Sequence, residues 1–125
     1  MHSDYQAGLK MKAILKKISN DDVCLEGFHP EDESSFSIRL LLRIGLGSSH
    51  GADNFDLRIC TPEWLCKHRW VPELMRHTLL VRKFDLDEIT KTITDYIDQC
   101  EGNDWEEIAQ KLSRVFAWEY EDYQS

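Results

Sequence analysis

Between Phe36 and Leu46 the chain alternates with a period of two. Phe36, Ile38, Leu40, Leu42, Ile44 and Leu46 fall on one side, and Ser37, Arg39, Leu41, Arg43 and Gly45 on the other. Successive side chains of a strand point to opposite faces, so this run demands a sheet with one buried face and one open face. The segment from Gly45 to Asn54, rich in glycine and serine, breaks the strand. Phe55, Leu57 and Ile59 then alternate with Asp56, Arg58 and Cys60. A connection this short predicts an antiparallel partner strand, because a parallel return needs a longer crossover.

The remaining elements follow from cap and turn chemistry. The run from Met11 to Ile18 suits a first strand, closed by the turn cluster Ser19-Asn20-Asp21-Asp22. Thr61 before Pro62 predicts a helix start, with threonine as N-cap and proline at the first helical position. That helix is expected to be short, since Pro72 disfavours helical geometry at Val71. Thr78 to Phe84 reads as a fourth strand. Two amphipathic helices then follow. Asp85 with Glu88, and Asp104 with Glu107, place an acid three residues after an N-cap. Leu86, Ile89, Ile93, Tyr96, Ile97 and Cys100 form the first apolar stripe, with Gly102 as its expected C-terminal cap. Trp105, Ile108, Leu112, Val115 and Phe116 form the second. Trp64 and Trp105, each in the first turn of a predicted helix, are expected in the core. Strands followed by helices predict an α+β domain: a four-stranded, largely antiparallel sheet with the C-terminal helices packed on one face. Residues 1–10 are polar and aperiodic and read as a loose leader, leaving residues 11–125 as one domain.

A chain of 125 residues with 42% hydrophobic content buries roughly two-thirds of its unfolded surface on folding, enough for one core without disulfides or a metal. No run approaches the ~20 apolar residues of a membrane span, and the start carries no basic region followed by an apolar one. Cys24, Cys60, Cys66 and Cys100 are therefore expected as free thiols. The net charge is −8, and it is unevenly placed: residues 84–125 hold 12 Asp/Glu against 3 Lys/Arg. Such a field repels nucleic acid and attracts a basic protein.

Tests for chemistry return little. The Gly45–Gly51 loop lacks the GxxxxGK[S/T] pattern and joins two strands rather than entering a helix, so it does not set phosphates on a helix N-terminus. Cys60, Cys66, His68 and His77 are clustered, but no CxxC pair exists and Cys66-x-His68 is a poor chelate for tetrahedral zinc. Ser48, Ser49 and His50 lack a G-x-S-x-G elbow. A cysteine–histidine pair assembled in space stays open on sequence grounds. The many carboxylates fit a solvated helix face better than an acid–base pair in a cleft. No catalytic residue, metal site or cofactor is expected.

The tail Phe116-Ala117-Trp118-Glu119-Tyr120-Glu121-Asp122-Tyr123 interleaves large aromatics with acids. Trp118 and Tyr120 can close the core while the acids face water. Alternatively the aromatics anchor a partner and the acids meet its basic groups. Asp95 and Asp98, on the outer side of the first C-terminal helix, extend the same acidic surface. Asp95, Asp98, Glu119, Tyr120, Glu121, Asp122 and Tyr123 are thus the expected partner-binding residues. The acidic loop Glu31-Asp32-Glu33 and the segment from Cys66 to His77 are the competing surfaces.

Several segments resemble the immunity protein 8 family of bacterial polymorphic toxin systems. They are Lys12-Ala13-Ile14-Leu15, the alternating strand from Phe36, and Phe55-Asp56-Leu57-Arg58-Ile59-Cys60-Thr61-Pro62-Glu63-Trp64-Leu65. Leu79-Leu80-Val81-Arg82-Lys83-Phe84-Asp85, Trp105-Glu106-Glu107-Ile108-Ala109 and Trp118-Glu119-Tyr120-Glu121-Asp122-Tyr123 complete the set. Together they span about Met11 to Tyr123. The Cys60–Leu65 and Trp118–Tyr123 elements are the most specific. The resemblance implies a cytoplasmic, non-enzymatic antitoxin whose partner is a cognate toxin domain, expected to be a basic nuclease of a contact-dependent or secretion-linked system. The alternative is a small cytosolic enzyme or metal-binding domain built on the Cys/His cluster. The segment 66–77 is the part least like the family.

Overall fold

The computed structural model describes residues 10–121. Its elements, in chain order, are β1 (Ala13–Ser19), β2 (Ser37–Leu46), β3 (Asp53–Cys60), α1 (Pro62–His68), β4 (Thr78–Leu80), α2 (Leu86–Gln99), α3 (Trp105–Leu112) and β5 (Ala117–Trp118). The strands form one mostly antiparallel sheet of order β1-β2-β3-β4, with β5 also pairing with β3. The fold is therefore α+β, as the alternation implies. The leader expected over residues 1–10 lies, apart from Lys10, outside the described residues.

The alternating strand sets the core. Phe36, Ile38, Leu40, Leu42 and Ile44 are buried, and so are Phe55, Leu57 and Ile59. The register pairs Ile38 with Ile59, Leu40 with Leu57 and Leu42 with Phe55, so both apolar rows share one face. Ile89, Ile93 and Ile97 of α2, with Ile108, Ala109 and Leu112 of α3, close that face. The other face is polar. Arg39 pairs with Asp56, Arg43 donates to Asn54 at 3.1 Å, and Arg58 donates to Ser37 at 2.7 Å. Edge strand β1 carries Lys12, Lys16 and Lys17 in or beside it, with a bulge between Leu15 and Lys17. Charge and a bulge both blunt an exposed edge against pairing with another chain. At the other end of β2, a Cβ on Gly45 would lie 2.3 Å from the carbonyl oxygen of Gly51. Glycine is needed there for the loop to fold back.

All three helices start where cap chemistry places them. Thr61 accepts from Trp64 N–H at 3.3 Å, Asp85 from Glu88 N–H at 3.2 Å, and Asp104 from Glu107 N–H at 2.9 Å. Thr61 is itself buried, and its hydroxyl also lies 3.4 Å from the Phe36 N–H. It thus ties the start of β2 to the start of α1.

Three expectations need correction, and one short strand adds to the sheet. The fourth strand is three residues long, not seven, and runs parallel to β3. After Val81, whose N–H still reaches Cys60 at 2.9 Å, the chain turns off the sheet to enter α2. The freed half of the β3 edge is taken by β5, too short for any period to reveal. Gly102 does not cap α2. That helix ends at Cys100 with φ −97, and Gly102 pairs with Met11 while packing under the Glu107 side chain. Trp64 is not a core residue, because α1 buries nothing. Its ring is half-buried on the polar side, stacked on His68 at 4.8 Å, with the Arg58 and Arg69 guanidiniums at 5.3 and 5.5 Å.

Candidate partner-binding surface

The capped, amphipathic α2 turns its charges outward. Asp87, Glu88, Asp95 and Asp98 are all exposed. Lys91 lies 2.8 Å from Asp95, and the hydrogen bond and charge of that carboxylate hold the ammonium above the usual lysine range. Among the described residues Asp87, Glu88 and Asp98 have no cationic partner in contact. A fully hydrated carboxylate of this kind contributes little to stability but much to the long-range field.

The tail is held differently. One oxygen of Asp53, Oδ2, accepts from the indole N–H of Trp105 at 2.8 Å and from that of Trp118 at 2.9 Å. A single carboxylate at the start of β3 thereby clamps α3 and the tail together. Trp118 stacks on Phe55 with an interplanar angle of 13°, and Tyr120 meets Trp118 edge-on. Glu119 accepts from the Asn54 backbone N–H at 2.6 Å. Glu121 lies 3.0 Å from Arg76 and 3.7 Å from the His77 ring. So the expected binding residues divide. Asp95 and Asp98 stand in solvent, Tyr120 is about half exposed, and Glu119 and Glu121 are spent at least partly on the chain's own structure. Asp122 and Tyr123 lie outside the described residues. In the competing acidic loop, Asp32 accepts from the Ser34 hydroxyl at 2.9 Å and the Ser34 N–H at 3.0 Å, which keeps its carboxyl below the usual range.

The other competing segment, 66–77, is where the large apolar side chains are exposed. In the connector between α1 and β4, Trp70, Val71, Leu74 and Met75 all face solvent. Their spacing, i, i+1, i+4 and i+5, would suit one face of a helix, and only Pro72 inside the run argues against one.

The Cys/His cluster is not assembled as one site. Cys60 is buried and Cys66 exposed. His68 Nδ1 lies 3.0 Å from the Trp64 carbonyl oxygen, while His77 faces Glu121. Burial pushes the thiols of Cys60 and Cys100 above their ordinary range, away from the reactive thiolate. Among the described residues no group of three or more His, Cys, Asp and Glu is disposed to hold a metal ion. Surface grooves of about 420 and 490 Å³ have no Cys, Ser or His in their linings, whereas smaller ones of about 240 and 260 Å³ are lined in part by His77 and by Ser49. No described helix is long and apolar enough to cross a membrane.

A small α+β domain whose α2 turns exposed carboxylates outward offers a charged surface to another protein. The particular family is given by a family model, immunity protein 8, which matches residues 13–123. The chain belongs to that family, whose members are immunity proteins against toxins. Neither the curated proteins nor the solved structures yield a match.

Proposed function

We propose that this protein is a cytoplasmic antitoxin that neutralises a basic, nuclease-type toxin domain by covering its active-site region. Family membership supplies the toxin as partner. The observation that supports a basic partner is the crowding of negative charge into residues 84–125, displayed on the outer side of α2. A substrate cleft built for nucleic acid is positively charged, and an acidic protein can fill or screen it. Asp95 and Asp98 steer the encounter. Tyr120, Glu119 and Glu121, with Asp122 and Tyr123, extend the contact along the tail. The toxin would be of the polymorphic or contact-dependent class, encoded beside the antitoxin.

Rim charges act mainly on association rate and its salt dependence, whereas truncating a buried charge pair acts on dissociation. Reversing Asp95 and Asp98 to lysine is therefore expected to slow association with the toxin domain and flatten its salt dependence, leaving the melting temperature unchanged. An unchanged on-rate would remove the α2 face from the reading. Because Glu119 and Glu121 also hold the tail, their reversal has to be read against a stability measurement on the same variants.

A further inference from the structure

The acidic face of α2 has charge but no anchor, and the anchor is found elsewhere. The connector of residues 69–77 leaves α1 and returns to the sheet at β4. In it Trp70 is 84% exposed, Val71 71%, Met75 40%, and Leu74 fully. Four large apolar residues within a six-residue stretch are thus left in water, which a soluble monomer seldom does away from a contact surface. We propose that this connector is the apolar anchor on which the toxin domain seats, a step that rests on the antitoxin reading above.

The connector is ordered by contacts at both ends rather than by burial of its middle. At its start the Arg69 N–H bonds the Leu65 carbonyl oxygen at 2.8 Å, and its guanidinium lies over Trp64 and 3.7 Å from Glu73. At its end Arg76 donates to Glu121 at 3.0 Å and to the Ser113 carbonyl oxygen at 3.0 Å. His77, with φ 60, gives its carbonyl oxygen to the Arg58 N–H at 3.0 Å. Pro72 restricts the backbone in between. Apolar side chains held out by a restrained backbone lose little freedom on binding, which is where pre-organisation raises affinity.

Charge points to the same occupant. Both arginines of the connector are matched by carboxylates of this chain, Glu73 and Glu121. The patch is locally neutral and does not repel the basic partner that the α2 face attracts. Trp70 and Met75, beside the paired Arg69 and Arg76, are of the residue types enriched at interfaces. The Arg76–Glu121 contact also makes it continuous with the tail. Steering and anchoring would thus fall to separate surfaces.

The test uses the full chain and a catalytically inactivated form of the toxin domain encoded beside it. Trp70→Ala and Leu74→Ala, singly and together, are compared with wild type for binding kinetics. Since both side chains are in water, melting temperatures should not move. The expected result is a dissociation rate at least tenfold faster for each variant, with association unchanged. Unchanged dissociation in both, while Asp95→Lys/Asp98→Lys slows association, would overturn the anchor and leave the antitoxin reading standing. A wild-type chain that does not bind the domain would overturn both. Light scattering decides the case of a second copy: if the variants convert a dimer to a monomer and toxin binding is unaltered, the patch is a self-association face and the proposal fails.

Discussion

Replacing Asp53 tests the clamp that joins α3 to the tail. Its Oδ2 accepts two indole N–H bonds, at 2.8 and 2.9 Å. A hydrogen bond to a charged group contributes about 1.5–3 kcal/mol. The two bonds share one oxygen at a half-buried position, and water can reach the freed N–H groups in part. Asp53→Ala is therefore expected to cost about 2–4 kcal/mol, near the low end of the doubled value. Asp53→Asn keeps a carbonyl oxygen that can accept from both indoles and loses only the charge, so it should cost about 1 kcal/mol. Urea unfolding followed by far-ultraviolet circular dichroism avoids the change in tryptophan environment, and an unchanged m-value would show that the unfolded states are comparable. Trp118→Phe supplies the second leg of a double-mutant cycle. It should cost less in the Asp53→Ala background than in wild type, because the bond it removes is already gone. Asp53→Ala within 0.5 kcal/mol of wild type, on the scale of an ordinary surface substitution, would refute the clamp.

Three further outcomes are expected. Trp64→Ala should cost about 1–2 kcal/mol, the value of cation–π and stacking contacts at a half-buried site, while Phe55→Ala should cost the ~3–5 kcal/mol of a fully buried aromatic; melts of the two variants side by side would show equal losses if Trp64 were core after all. Burial raises the Tyr96 phenol from the ordinary 10.0 to about 12, with its hydroxyl donating to the Lys111 carbonyl oxygen at 2.8 Å. The folded state then holds that proton more tightly than the unfolded one, so the contribution is full below pH 10 and is lost as pH rises towards 12; Tyr96→Phe should flatten this part of the stability profile, and an unaltered profile would count against it. In the native protein a thiol reagent should modify the exposed Cys24 and Cys66 quickly and reach the buried Cys60 and Cys100 only on unfolding; four equally fast thiols would contradict the packing.

What could be read from the sequence was whatever has a local signature. The two alternating strands specify a face, and the structure buries that face. Thr61, Asp85 and Asp104 announce helix starts through a side chain that must accept a nearby N–H, and each does. Ends and edges were less legible because they depend on what lies across space. Residues 78–84 have strand-like composition, but the need to swing into α2 stops the strand at Leu80. β5 exists because β4 leaves half of the β3 edge open, a vacancy no period records. Trp64 was misplaced because a first-turn tryptophan usually turns inward, whereas here two arginines cover its ring from the polar side. The acidic face was legible as a charge count. The structure adds that Glu119 and Glu121 bear part of the fold, and that in the competing segment Trp70, Val71, Leu74 and Met75 are the exposed apolar residues.

The most direct test of the antitoxin account is titration of the purified chain into its active cognate toxin domain, with toxin activity as the readout. The account expects activity to fall linearly to zero at one equivalent, with tight association that weakens as salt rises. Toxin activity that stays constant through several equivalents of folded protein would contradict it.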